Sequence, residues 1–145
     1  MNVSDKAGDG LKVKESSRGA AFDDLDNDGD VDIVIVNSRT RPTILRNTST
    51  SQGNWLQVEL RGKSNKFGVG SQVRVYAGDL TLVDEVHAGR GYQSSYGMRL
   101  YFGLGKRDTI DRVEVRWHGG NPEKYDVAGV NRRIVLEEGK GQELR

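Results

Sequence analysis

Residues 112–117 read RVEVRW, and valine or tryptophan stands at every second position: Val113, Val115 and Trp117, alternating with Arg112, Glu114 and Arg116. Successive side chains of a strand point to opposite faces, so this pattern predicts a β-strand with one wet face and one face in a core. The same alternation recurs in VRVY (residues 73–76) and WLQVEL (residues 55–60). Strand-like runs also lie in DIVIVN (32–37), LTLVDEVHAG (80–89), MRLYFGLG (98–105) and NRRIVLEEG (131–139). With 19 glycines, two prolines and no long helical periodicity, the 145-residue chain is expected to be all-β, many short strands joined by glycine turns. The expected architecture is a short loop-bearing, blade-like unit packed on a β-sandwich or barrel-like domain. In VDIVIV (31–36), Val31, Ile33 and Ile35 fall on one face and Val34 and Val36 on the other, as expected of a central strand covered on both faces. RPTILRN (41–47) offers Ile44 and Leu45 as its neighbour.

The polar stretch TSTSQGN (48–54) fits a linker, which places the expected boundary between residues 1–50 and 51–145. The final GKGQELR is expected to fray. Without cysteine, neither disulfides nor thiolate metal sites are available. No run of 18 apolar residues and no export signal are present, so no membrane insertion is expected of the chain. The net charge of +1 gives no sign of a nucleic-acid partner.

The charge is distributed unevenly. Asp23, Asp24, Asp26, Asp28, Asp30 and Asp32 fall within ten positions. Carboxylates at that density repel one another unless a cation sits among them. Asp24, Asp26 and Asp28 occupy the first, third and fifth positions of a loop, and Gly29 stands at the sixth, where the chain must bend sharply. Asp30 offers its carbonyl at the seventh and Asp32 closes the ring at the ninth. These oxygens suit calcium. Magnesium demands a stricter octahedron, and zinc prefers nitrogen or sulfur, which the loop lacks. A helix-loop-helix hand is excluded, because its twelfth position, where a bidentate glutamate belongs, is Ile35. A solvated run of Asx turns is the alternative; the spacing and the glycine favour the ion.

RGAAFDDLDNDGDVDIVIVN (18–37) resembles the FG-GAP or VCBS-type repeat, whose calcium loop joins two strands of a β-propeller blade. SNKFGVGSQVRVYAG, EVHAGRGYQSSYGMRLYFGLG and IDRVEVRWHGG resemble the ASPIC and UnbV domain. The resemblance implies a β fold in a secreted or surface protein, hence an extracellular or cell-surface location, and no established activity. One blade cannot close a propeller, so its sheet needs cover.

The expected function is therefore that of a non-enzymatic calcium-binding module for an as yet unidentified protein or carbohydrate ligand, with room for a homo-oligomer. The loop around Tyr92 and Tyr96 is the expected ligand contact outside the metal. The alternatives are a hydrolase or lyase acting on an extracellular polymer through Tyr92 and His118, or a purely structural assembly domain. Against the enzyme, neither Ser94 nor Ser95 sits in a nucleophile elbow, and His87 and His118, the only histidines, read as surface residues.

Overall fold

A computed structural model describes residues 6–49, 53–92 and 94–144. The fold is all-β, with eleven strands and a short 3-10 helix at Asp9–Lys12 among the described residues. Residues 50–52 of the expected linker lie outside the described residues. The described residues up to Ser49, together with Gly89–Tyr96, form one compact unit; the remainder form a second.

The first unit contains a three-stranded sheet in the order β1 (Ser17–Asp23), β2 (Asp32–Asn37), β3 (Thr43–Leu45). Both pairings are antiparallel, and β2 is central, with Ile33 opposite Phe22 on one side and Leu45 on the other. The expected neighbour of β2 is thus confirmed. Complete cover is not: Val36 is 56% exposed, and Ile44, across from Val34, is 63% exposed. Val34, Val36 and Ile44 share one face of this sheet, and at Val36 and Ile44 that face meets water.

The second unit has two sheets. The smaller has the order β10 (Arg132–Glu137), β4 (Asn54–Arg61), β7 (Leu100–Gly105). The larger has the order β11 (Gln142–Glu143), β9 (Pro122–Tyr125), β8 (Arg112–Arg116), β5 (Gln72–Ala77), β6 (Leu80–Glu85). Leu56, Val58, Leu100, Phe102 and Leu104 of the first sheet join Val73, Val75, Val113 and Val115 of the second in one core. Every alternating face expected of β4, β5 and β8 is buried as a set. Burying each such side chain contributes about 1.5–3 kcal/mol, so the core holds the sandwich together. Gln57 breaks the simple alternation: it is only 2% exposed on the opposite face of β4, where the Arg99 guanidinium donates to its Oε1.

Gly68 has φ +64°, and a Cβ there would come within 2.8 Å of Leu60 Cβ. A side chain at this position would meet both a strained backbone and a filled site.

Of the end expected to fray, the described residues as far as Leu144 are instead hydrogen-bonded into the sheet. β11 pairs with β9, and the Leu144 amide donates to the Pro122 carbonyl. The anchor is Glu123, 7% exposed, whose carboxylate accepts from Tyr125 Oη at 2.5 Å and from the amides of Gly139 at 2.7 Å and Gly141 at 3.0 Å. Burial pushes this carboxyl up, but the Tyr125 hydroxyl, the two glycine amides and the charge of Lys63 outweigh it and hold the carboxyl below the usual glutamate range. Burial and the neighbouring carboxylate push the Tyr125 phenol well up.

Candidate metal centre

The connection between β1 and β2 is the acidic loop, closed at its base by the cross-strand pair Asp23 and Asp32. Its backbone is held by its own carboxylates. Asp24 is buried, and its two oxygens accept from the amides of Asp28 at 3.1 Å and Gly29 at 3.0 Å. Asp28 Oδ1 accepts from the Asp30 amide at 2.9 Å. Asn27 at φ 61° and Gly29 at φ 99° supply the left-handed residues that wrap the chain around Asp24.

This wrapping gathers Asp24, Asp26 and Asp28, each offering one carboxylate oxygen within 4.8 Å of the others. Two like charges about 4 Å apart repel by about 1 kcal/mol in bulk water and about 4 kcal/mol at a protein surface, so three carboxylates this close favour a cation among them. A hard divalent ion suits an all-oxygen set with no sulfur or imidazole donor. Part of the compensation is already built in. Arg46, the residue after β3, places Nη2 2.6 Å from Asp26 Oδ2 and 3.6 Å from Asp28 Oδ2.

Asp30 and Asp32 of the expected ligand set fall outside this three-residue cluster. Asp32, 2% exposed, accepts the Leu25 amide at Oδ2 and the Asn47 amide at Oδ1, at 3.1 and 2.7 Å. It thereby ties the loop to the chain leaving β3. Neither this tie nor Arg46 is legible in the loop itself, because both depend on which strand pairs with β2. The signal that could have found Arg46 is the Ile33–Leu45 register, which brings the residue after Leu45 to the loop's base.

The Tyr92–Tyr96 loop belongs to the same unit as β1. Tyr96 meets the Phe22 ring edge-on, with centroids 5.4 Å apart and planes at 68°. Ser94 Oγ donates to the Tyr92 carbonyl and accepts from the Ala20 amide. That hydroxyl is committed to holding the loop on β1. His118 lies in the second unit, exposed after β8, where its amide donates to Ser71 Oγ at 2.9 Å. His87 is also exposed, with Nδ1 3.7 Å from Glu85 Oε1.

Comparison with known proteins adds context to this geometry. Residues 61–143 match the family model described as ASPIC and UnbV. Over 137 residues the chain is 31% identical to "Cartilage acidic protein 1" of Mus musculus and of Homo sapiens. Each match covers 90% of this chain, but 21% and 20% of the respective relatives, so the chain spans about a fifth of their length. Among the described residues no helix is long and apolar enough to cross a membrane.

Proposed function

The chain belongs to the ASPIC and UnbV family, and from that premise we propose that it is a non-enzymatic, calcium-binding β module of a secreted or surface protein that contacts a protein or carbohydrate ligand. The observation that carries this reading is the convergence of Asp24, Asp26 and Asp28 on a loop pre-wound by Asp24. The resemblance of residues 18–37 to an FG-GAP or VCBS repeat supports the same ion. So does the name of the cartilage relatives, which fits a setting outside the cell, where calcium modules work at dissociation constants of about 0.1–1 mM.

In this role Asp24, Asp26 and Asp28 would hold the ion, with Asp30 and Asp32 contributing as the loop tightens. Calcium would supply charge neutralisation and a crosslink rather than chemistry. The chain's own part is to position the loop: Asp32 ties it to Asn47, and β2 carries it at the centre of the sheet. Titration calorimetry of the metal-stripped chain with calcium chloride tests this. One site is expected, abolished by Asp26→Asn with Asp28→Asn and weaker for magnesium. Absence of calcium binding overturns the reading.

A further inference from the structure

A pocket of about 460 Å³ opens in the first unit, lined by Arg18, Phe22, Ile35, Arg90, Tyr92 and Tyr96 among others. We propose that it binds a carboxylate-bearing sugar, a uronic-acid residue of an acidic polysaccharide. This gives a ligand class to the interaction role proposed above and rests on that reading of the chain as a binding module.

Size and lining come first. The volume sits toward the small end of the roughly 300–1,000 Å³ range of small-ligand sites, room for about one or two sugar rings. The walls are mainly aromatic and apolar, and a pyranose presents a C–H face that stacks on such rings. Tyr96 is fixed in place by its edge contact with Phe22. Tyr92, 73% exposed, stands at the rim with its ring available to a ligand. A rigid aromatic ring costs little entropy when it engages a ligand, as few torsions are frozen.

Charge then selects the acid. Arg18 is exposed at the start of β1 and has no carboxylate partner among the described residues. A guanidinium fork matches a carboxylate in bidentate geometry, and Arg18 presents one at the pocket wall. A neutral sugar would leave this charge unused. A nucleic acid strand gains affinity from many phosphate contacts, which two arginines do not supply.

An extended peptide added to the β1 edge is the main competitor. Such a strand would need the outward amides of β1, as strand addition works through main-chain hydrogen bonds. At mid-strand the Ala20 amide already donates to Ser94 Oγ. With that position closed by its own loop, the pocket is suited to a ligand held by side chains.

The test uses the full chain, titrated calorimetrically with a glucuronic acid tetramer, with its methyl ester and with free glucuronate. Binding of the acid tetramer, about tenfold or more loss for the ester, and a similar loss in Arg18→Gln are expected, tenfold being 1.4 kcal/mol. Tyr92→Ala, at an exposed position, should weaken binding at least about threefold with an unchanged melting temperature. A tetramer bound more tightly than free glucuronate identifies a polysaccharide chain as the source; the reverse identifies a free sugar acid. Equal binding of acid and ester, equal binding of a sulfated dextran oligomer, unimpaired variants or no uronate binding would each overturn the proposal. Calcium uptake is measured on the same sample. A chain that binds calcium but no uronate refutes the sugar alone; one that binds uronate without calcium upholds the sugar and refutes the metal.

Discussion

Arg46 Nη2 lies 2.6 Å from Asp26 Oδ2, so the acidic loop carries a cation of its own, delivered by the residue that follows β3. The side chain is largely exposed, and a pair of that kind contributes about 0–1 kcal/mol. A divalent ion at the three carboxylates must compete with this guanidinium.

Replacing the internal cation should therefore help the ion. Arg46→Met is expected to tighten calcium binding by up to about fivefold, the equivalent of about 1 kcal/mol, while leaving the chelated chain slightly less stable. Titration calorimetry on variant and wild type checks this, and weaker binding in the variant would show that Arg46 supports the site instead.

Asp26 and Asp32 should separate by role. Asp32 accepts two amides while buried, so Asp32→Ala leaves both donors unpaired and should cost about 1–3 kcal/mol in chelator as well as in calcium. Asp26 is exposed, and Asp26→Asn should change stability in chelator by no more than about 0.5 kcal/mol while weakening calcium binding. Urea unfolding of each variant, with and without calcium, reads both effects.

The Glu123 anchor predicts a pH dependence. Its folded-state value is held below that of an unfolded glutamate, so its contribution is present above the unfolded value and is lost as pH falls through the folded one. The chain should thus lose stability as pH drops through and below the ordinary glutamate range, and Glu123→Gln should remove that part of the slope. At neutral pH the variant should be less stable by about 1–3 kcal/mol, because a neutral amide replaces a carboxylate that accepts three hydrogen bonds. Thermal melts across the acid range measure both. An unchanged slope would remove Glu123 as the source.

Much of the fold is legible because alternation depends only on the local chain. Val113, Val115 and Trp117 repeat with period two, and all three are buried. β9 and β11 escape this logic. PEKY carries a proline and two charges, and QE has no apolar residue; β9 is placed by its ladder with β8, and its buried Glu123 accepts the Gly139 and Gly141 amides of the turn that leads to β11. The cluster of Asp24, Asp26 and Asp28 is equally local, set by spacing and by Gly29. The role of Asp32 is not local, since its partner Asn47 lies fifteen residues away and meets it only after β3 has paired with β2. The meeting of Tyr96 with Phe22 likewise depends on chain segments far apart in sequence.

Differential scanning calorimetry of the full chain in 10 mM calcium and in chelator probes the proposed calcium crosslink most directly. With a dissociation constant of about 0.1–1 mM, calcium should stabilise the fold by about 1.4–2.7 kcal/mol and raise the melting temperature, and the gain should vanish in Asp26→Asn with Asp28→Asn. Identical melting in calcium and in chelator would contradict a structural ion at Asp24, Asp26 and Asp28.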